Sequence, residues 1–165
     1  MNRIEDLQEV VSPAILSRAR DISRLLKDLG VPHVLIGGLA VGIHGHPWVT
    51  KDVDFMVGVE AFSSTDPLLI YREELTNLVH IGETDIMSVP AKYPGLTAEL
   101  RLEEGIPVIS LRGLVLMKLA AFRARDQEDV RVLLQRAPGR IRDVRDYLQG
   151  QAPELLIRLA EVLVG

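Results

Sequence analysis

The 165-residue chain contains no cysteine. That excludes disulfides and thiolate metal sites, and it fits a reducing compartment. No apolar run reaches membrane-spanning length. The first ten residues, MNRIEDLQEV, are charged and do not read as a signal peptide. A cytoplasmic protein without a membrane partner is the expectation. Excess positive charge is missing as well: the net charge is −4 and the pI about 5.6. Tight, unspecific binding to a phosphate backbone usually needs a basic protein, so the composition argues against it. There is no P-loop, which requires Gly-Lys-Ser/Thr, and no GxGxxG fingerprint. P-loop nucleotide hydrolysis and dinucleotide binding are thereby disfavoured. Internal repeats, low-complexity tracts and linkers are also absent. What remains is an ordinary globular composition, 47% hydrophobic and 25% charged. It is enough for one domain over residues 1–165 and hardly two.

The chain is organised around residues 34–57, VLIGGLAVGIHGHPWVTKDVDFMV. Val34, Leu35 and Ile36 are too few for a helix and rich in branched side chains, which predicts a buried strand. Gly37 and Gly38 follow at once. They permit a sharp turn and let another molecule approach the main chain. A short helix over 39–44 is expected on those glycines, ended by Gly45 and Pro47. A second strand over 51–57 carries Asp52, Asp54 and Met56 on one face and Val53, Phe55 and Val57 on the other. The two aspartates are then roughly 7 Å apart at Cα, close enough to share a divalent cation. Like charges on one face raise a carboxyl pKa unless a cation neutralises them, and hard oxygen donors suit Mg²⁺ or Mn²⁺. Backbone N–H groups at a helix start suit a phosphate. A phosphate cradle beside a carboxylate pair is equipment for phosphoryl or nucleotidyl transfer.

The run GGLAVGIHGHPWVTKDVDFMV closely resembles the signature of the DNA polymerase β-like nucleotidyltransferase superfamily. Its minimal members include AbiEii-type toxin proteins and small aminoglycoside-type nucleotidyltransferases. Their pattern is a Gly-Gly turn, a short helix, a Thr, then Asp-x-Asp on a strand. Gly37, Gly38, Thr50, Asp52 and Asp54 match it. Trp48 departs from it, standing where the pattern has a basic residue. The resemblance implies an α/β (α+β) fold, a small mixed sheet with packed helices. It further implies that Asp52 and Asp54 bind Mg²⁺ and, through it, an NTP, with Gly37 and Gly38 against the phosphates and Lys51 or Lys118 offsetting charge. A third carboxylate often comes from a neighbouring strand, and Asp85 is the candidate by order and type.

Elsewhere, Ser12-Pro13 is a helix start with a Ser N-cap. Ile15, Ile22, Leu25, Leu26 and Leu29 form one face of that helix, and Gly30 ends it. The signal over 58–76 is weak. Two strands are expected over 78–81 and 85–89, joined by Gly82-Glu83-Thr84. Residues 91–104 read as loop then helix, and 106–109 as a strand. Ser110 caps a helix over 111–123, with Lys118 on or beside its apolar face. Asp126 and Asp129, three apart on one helical side, admit a metal-ligand reading, but capping and ion pairs with Arg123 and Arg125 are preferred, ahead of a helix over 130–135. Arg140, Arg142 and Arg145 form a basic stretch interleaved with Asp143 and Asp146, expected as a solvated face with local ion pairs; the alternative is contact with a phosphate-rich acceptor such as tRNA. A last amphipathic helix follows Pro153.

The expected function is metal-dependent transfer of an NMP from an NTP to an acceptor hydroxyl on tRNA, protein or a small molecule. It could serve as a toxin with an antitoxin partner. The alternative is an inactive nucleotide- or partner-binding module on the same fold. His44 and His46 suggest a zinc hydrolase, but Gly45 and Pro47 put them in a turn, apart from the aspartates and without a further histidine nearby.

Overall fold

The computed structural model describes residues 4–61 and 84–165. The expected strand over 78–81 and the readings within 62–83 lie outside the described residues. Among those residues the fold is mixed α/β: six α-helices and a five-stranded mixed sheet.

Ser12 caps the first helix, α1 (Pro13–Asp28), accepting the Ile15 N–H at 3.4 Å. Gly30 at φ +70° then turns the chain. The all-apolar run after His33 forms β1 (His33–Ile36), buried at every position. That pattern belongs to a strand covered on both faces. A short helix, α2 (Gly37–Ile43), begins on the glycines themselves rather than after them. The next strand, β2 (Val53–Val57), pairs antiparallel with β1, Ile36 facing Asp54 and His33 facing Val57. It begins one residue after Asp52, so only Asp54 of the two aspartates stands on a strand. Thr84, expected in a turn, opens β3 (Thr84–Ser88), which runs parallel to β2.

Residues 91–104 give a 3₁₀ turn (Pro94–Ala98) and then a strand, β4 (Leu100–Glu103), not the expected helix. Leu-Arg-Leu-Glu alternates with period two, and Glu104-Gly105 closes a hairpin to β5 (Ile106–Ile109). Both turn residues have positive φ, 50° and 84°, the condition for a two-residue loop that matches strand twist. The sheet order is β3-β2-β1-β5-β4, with β1 and β5 parallel.

Ser110 caps α3 (Leu111–Ala121), accepting from Gly113 N–H at 3.2 Å. Phe122 ends it in the left-handed region. The following helix, α4 (Ala124–Arg136), starts six residues before the expected position. Asp126 lies inside its first turn and accepts the Arg123 N–H at 3.1 Å. The basic stretch is itself helical, α5 (Ile141–Gln151), and the chain ends in α6 (Leu156–Val164). α1 packs on β1, β2 and β5, while α3 packs on α4 and α5, and both of these meet α6. One continuous core joins Leu26, Phe55, Leu116, Leu133 and Leu148, all buried.

Candidate active site

The first turn of α2, the start of β2 and the C-terminal half of α3 enclose a cavity of about 650 Å³. Asp52, Asp54, Gly37, Gly38, Trp48 and Lys118 line it. Asp54 stands between two strands, opposite Ile36 in β1 and Asp85 in β3. In a parallel pair, residues in register project to the same face. Asp85, 31 residues further along, is thereby brought beside Asp54. The distance in sequence is bridged by strand pairing.

The carboxyl of Asp54 is pressed against the backbone of Gly37. A Cβ at position 37 would lie 2.1 Å from Asp54 Oδ2, and the residue holds φ +69°. What approaches this glycine is the chain's own carboxylate. Gly38 is likewise covered from within: a Cβ there would come to 3.0 Å from both Thr50 Oγ1 and Trp48 Cζ2. Thr50 is buried, and its hydroxyl accepts the Asp52 N–H at 3.4 Å. Its role here is to brace the turn that delivers Asp52.

Burial is the main force on Asp54, with the charges of Asp85 and Asp52 next and a hydrogen bond with Asp85 adding to them. Together they push its pKa up to about 7 against the opposing pull of Lys118. An uncompensated carboxylate cluster of this kind is relieved by a cation. Hard oxygen donors from one or two carboxylates, completed by water and phosphate oxygens, are the usual protein share of a Mg²⁺ site. Among the described residues no three or more His, Asp or Glu side chains come together closely enough to hold a metal ion; the oxygen donors suited to Mg²⁺ are the Asp54–Asp85 pair, with Asp52 close enough to raise Asp54.

Lys118 is held by two buried carboxylates, Asp126 at 3.1 Å and Asp129 at 3.0 Å. Asp126 also takes Arg123 Nε at 2.7 Å. Burial raises the Asp126 carboxyl, but the hydrogen bonds from Arg123 and Lys118 outweigh it and hold the group below the ordinary range. Asp126 thus caps and pairs with Arg123 as expected. Asp129 instead pairs with Lys118, and Arg125 stacks on Trp48 with its guanidinium 3.5 Å from the ring centre. Lys51 is exposed and stands outside the cavity lining. Arg123 and Arg125 do line it. Sequence reading assigned them only to ion pairs, although Arg-Ala-Arg directly after the lysine-bearing helix was a signal for cations near Lys118.

The two histidines have separate partners. His44 Nε2 donates to the Ile109 carbonyl at 2.7 Å, while His46 Nε2 lies 3.8 Å from Asp129. In comparison with known proteins, no family model matches the chain and no curated protein matches it.

Proposed function

We propose that this chain is a metal-dependent nucleotidyltransferase. It would move an NMP from an NTP to an acceptor hydroxyl and release pyrophosphate. The observation that carries the reading is the register of Asp54 with Asp85, where Asp54 and Asp52 line the cavity beside Gly37 and Gly38 and Asp85 stands outside its lining. Asp52, Asp54 and Asp85 would hold Mg²⁺ or Mn²⁺. The bound ion would supply charge neutralisation to the carboxylates and to the triphosphate. Asp85, exposed and hydrogen-bonded with Asp54, would accept the proton of the attacking hydroxyl as its oxygen bonds to the α-phosphorus and the bond to pyrophosphate breaks. Lys118, Arg123 and Arg125 set three cations around the same cavity, and charge-assisted hydrogen bonds to phosphate oxygens are strong. The acceptor class is tRNA, protein or a small molecule. An antitoxin protein partner belongs to the toxin form of this reading.

The test is label transfer from each α-³²P-NTP with Mg²⁺ to a mixture of RNA and protein acceptors. Wild type should label an acceptor and Asp54→Asn should not. Equal labelling by both would sink the assignment. A second reading, nucleotide binding without turnover, draws on the ion pairs around Lys118, whose charge is already matched by Asp126 and Asp129. Saturable Mg²⁺-dependent NTP binding with no transfer to any acceptor would favour it.

A further inference from the structure

A second cavity, of about 370 Å³, lies at the other ends of α2 and α3 from the carboxylates. His44, which caps the C-terminus of α2, and Ser110, which caps the N-terminus of α3, both line it. Three arginines from three different elements meet there: Arg101 of β4, Arg136 at the end of α4 and Arg140 just before α5. Among the described residues, no acidic one is in the lining. The chain as a whole is acidic, so this convergence of cations runs against its overall charge.

The carboxylates around the rim do not balance it. Arg101 lies 2.8 Å from Glu103, and Arg140 lies 3.1 Å from Asp143. Asp143 is shared with Arg112. Glu99 accepts from Ser110 and is matched by Arg112. Arg136 donates to the Gly45 carbonyl and has no carboxylate partner among the described residues. Arg101 Nε and Nη2 are buried without a hydrogen-bond partner, since the contact with Glu103 is close but misaligned. Buried donors left unmade are costly. The electrostatics of His44 agree: burial first, then the charges of Arg101 and Arg140, bring its pKa down to about 4 despite its bond to Ile109.

We propose that this cavity is a second, non-catalytic anion site that binds a phosphate monoester through Arg101, Arg136 and Arg140. Guanidinium forks match phosphate oxygens in pairs. A dianion with three accepting oxygens uses several forks at once, whereas a single carboxylate would leave most of them unanswered. The phosphate could be carried by a small metabolite or by the 5′ end of an RNA strand.

The test titrates inorganic phosphate into the full chain at fixed ionic strength, followed by calorimetry and by the ring resonances of His44. Wild type should bind saturably and move the His44 signals. Arg101→Gln/Arg140→Gln should weaken binding by about tenfold or more, the loss expected for hydrogen bonds to a charged group. Arg24→Gln, an exposed arginine of α1 outside both cavities, should leave it unchanged. Arg140→Gln alone, on a half-exposed side chain, should cost several-fold and decides the matter if the double variant fails to fold. No saturable His44 shift at tens-of-millimolar phosphate, equal affinity in the Arg140→Gln protein, or loss of binding in Arg24→Gln would overturn the site. Competition by 5′-phosphorylated but not 5′-hydroxyl oligoribonucleotide supports the site and names an RNA end as the source. Competition by neither, with phosphate still bound, supports it and names a free phosphate. Equal competition by both would overturn it.

Discussion

Position 37 admits no side chain without disturbing Asp54. Gly37→Ala would force a left-handed φ on a residue with a Cβ, at about 1–2 kcal/mol, and would drive that Cβ into the carboxyl. We expect Gly37→Ala to lower stability by at least that amount and to weaken Mg²⁺ binding more than ordinary destabilisation would. Chemical denaturation and metal titration on the same protein separate the two effects. Asp54 itself gives a pH signature. Its folded pKa, about 7, lies above its unfolded value, so the metal-free folded state holds a proton that the unfolded state has lost. The stability contributed by this group is full below about pH 4. It falls as pH rises towards 7 and is level above that. The difference in stability between wild type and Asp54→Asn should therefore slope with pH over that window, by up to about 1.4 kcal/mol per unit. The variant should be the more stable of the two above pH 7 without metal. A flat difference would mean that Asp54 titrates normally. By the same proton, Mg²⁺ affinity should rise as pH increases through 7 and level off beyond it.

The joint between α3 and α4 is the element on which the cation side of the site depends. Lys118 comes from the last turns of α3, and Asp126 and Asp129 come from the first turns of α4. Removing one partner of a buried ion pair leaves an uncompensated charge, at about 3–5 kcal/mol. Lys118→Met would leave two buried aspartates facing each other, and we expect a loss of that order in thermal or urea unfolding. A loss under 1 kcal/mol would show the network to be solvated. This joint was only half legible in the sequence. Ser12 and Ser110 announce α1 and α3 because serine is a standard N-cap. α4 begins behind an arginine, closed by Asp126, and residues 123–129 read instead as a connector. β4 was missed for a related reason. Four residues with two exposed leucines, Leu100 and Leu102, look like neither a buried strand nor a helix face. Only its alternation and the Glu104-Gly105 turn mark it. Gly105, at φ +84°, supports that hairpin, and Gly105→Ala should cost about 1–2 kcal/mol in unfolding.

At the scale of the whole molecule, the stretch over residues 34–57 was readable because its signals are local: a short apolar run, paired glycines and alternating aspartates. The pairing of Asp54 with Asp85 is not local. Asp85 could be nominated by type and chain order, but its place beside Asp54 depends on β3 running parallel to β2 in one particular register. The same holds for Arg125 over Trp48, where a connector residue supplies a cation against the single tryptophan. Asp52 shows the limit from the other side. Alternation put both aspartates on one strand, yet the strand starts after Asp52, and Thr50 rather than the sheet positions it. The sheet therefore sets one carboxylate pair, and a braced turn sets the third group.

The most direct measurement of the central claim is thermal unfolding of wild type and Asp54→Asn with ATP, GTP, CTP and UTP, each with and without Mg²⁺. A ligand at about a hundred times its dissociation constant stabilises the folded state by roughly 2.7 kcal/mol. In a domain of this size that corresponds to a rise in Tm of roughly 5–10 °C. The proposed site calls for a rise with at least one nucleotide that requires Mg²⁺ and disappears in Asp54→Asn. An unchanged Tm with all four nucleotides, or an equal rise in the variant, would contradict it.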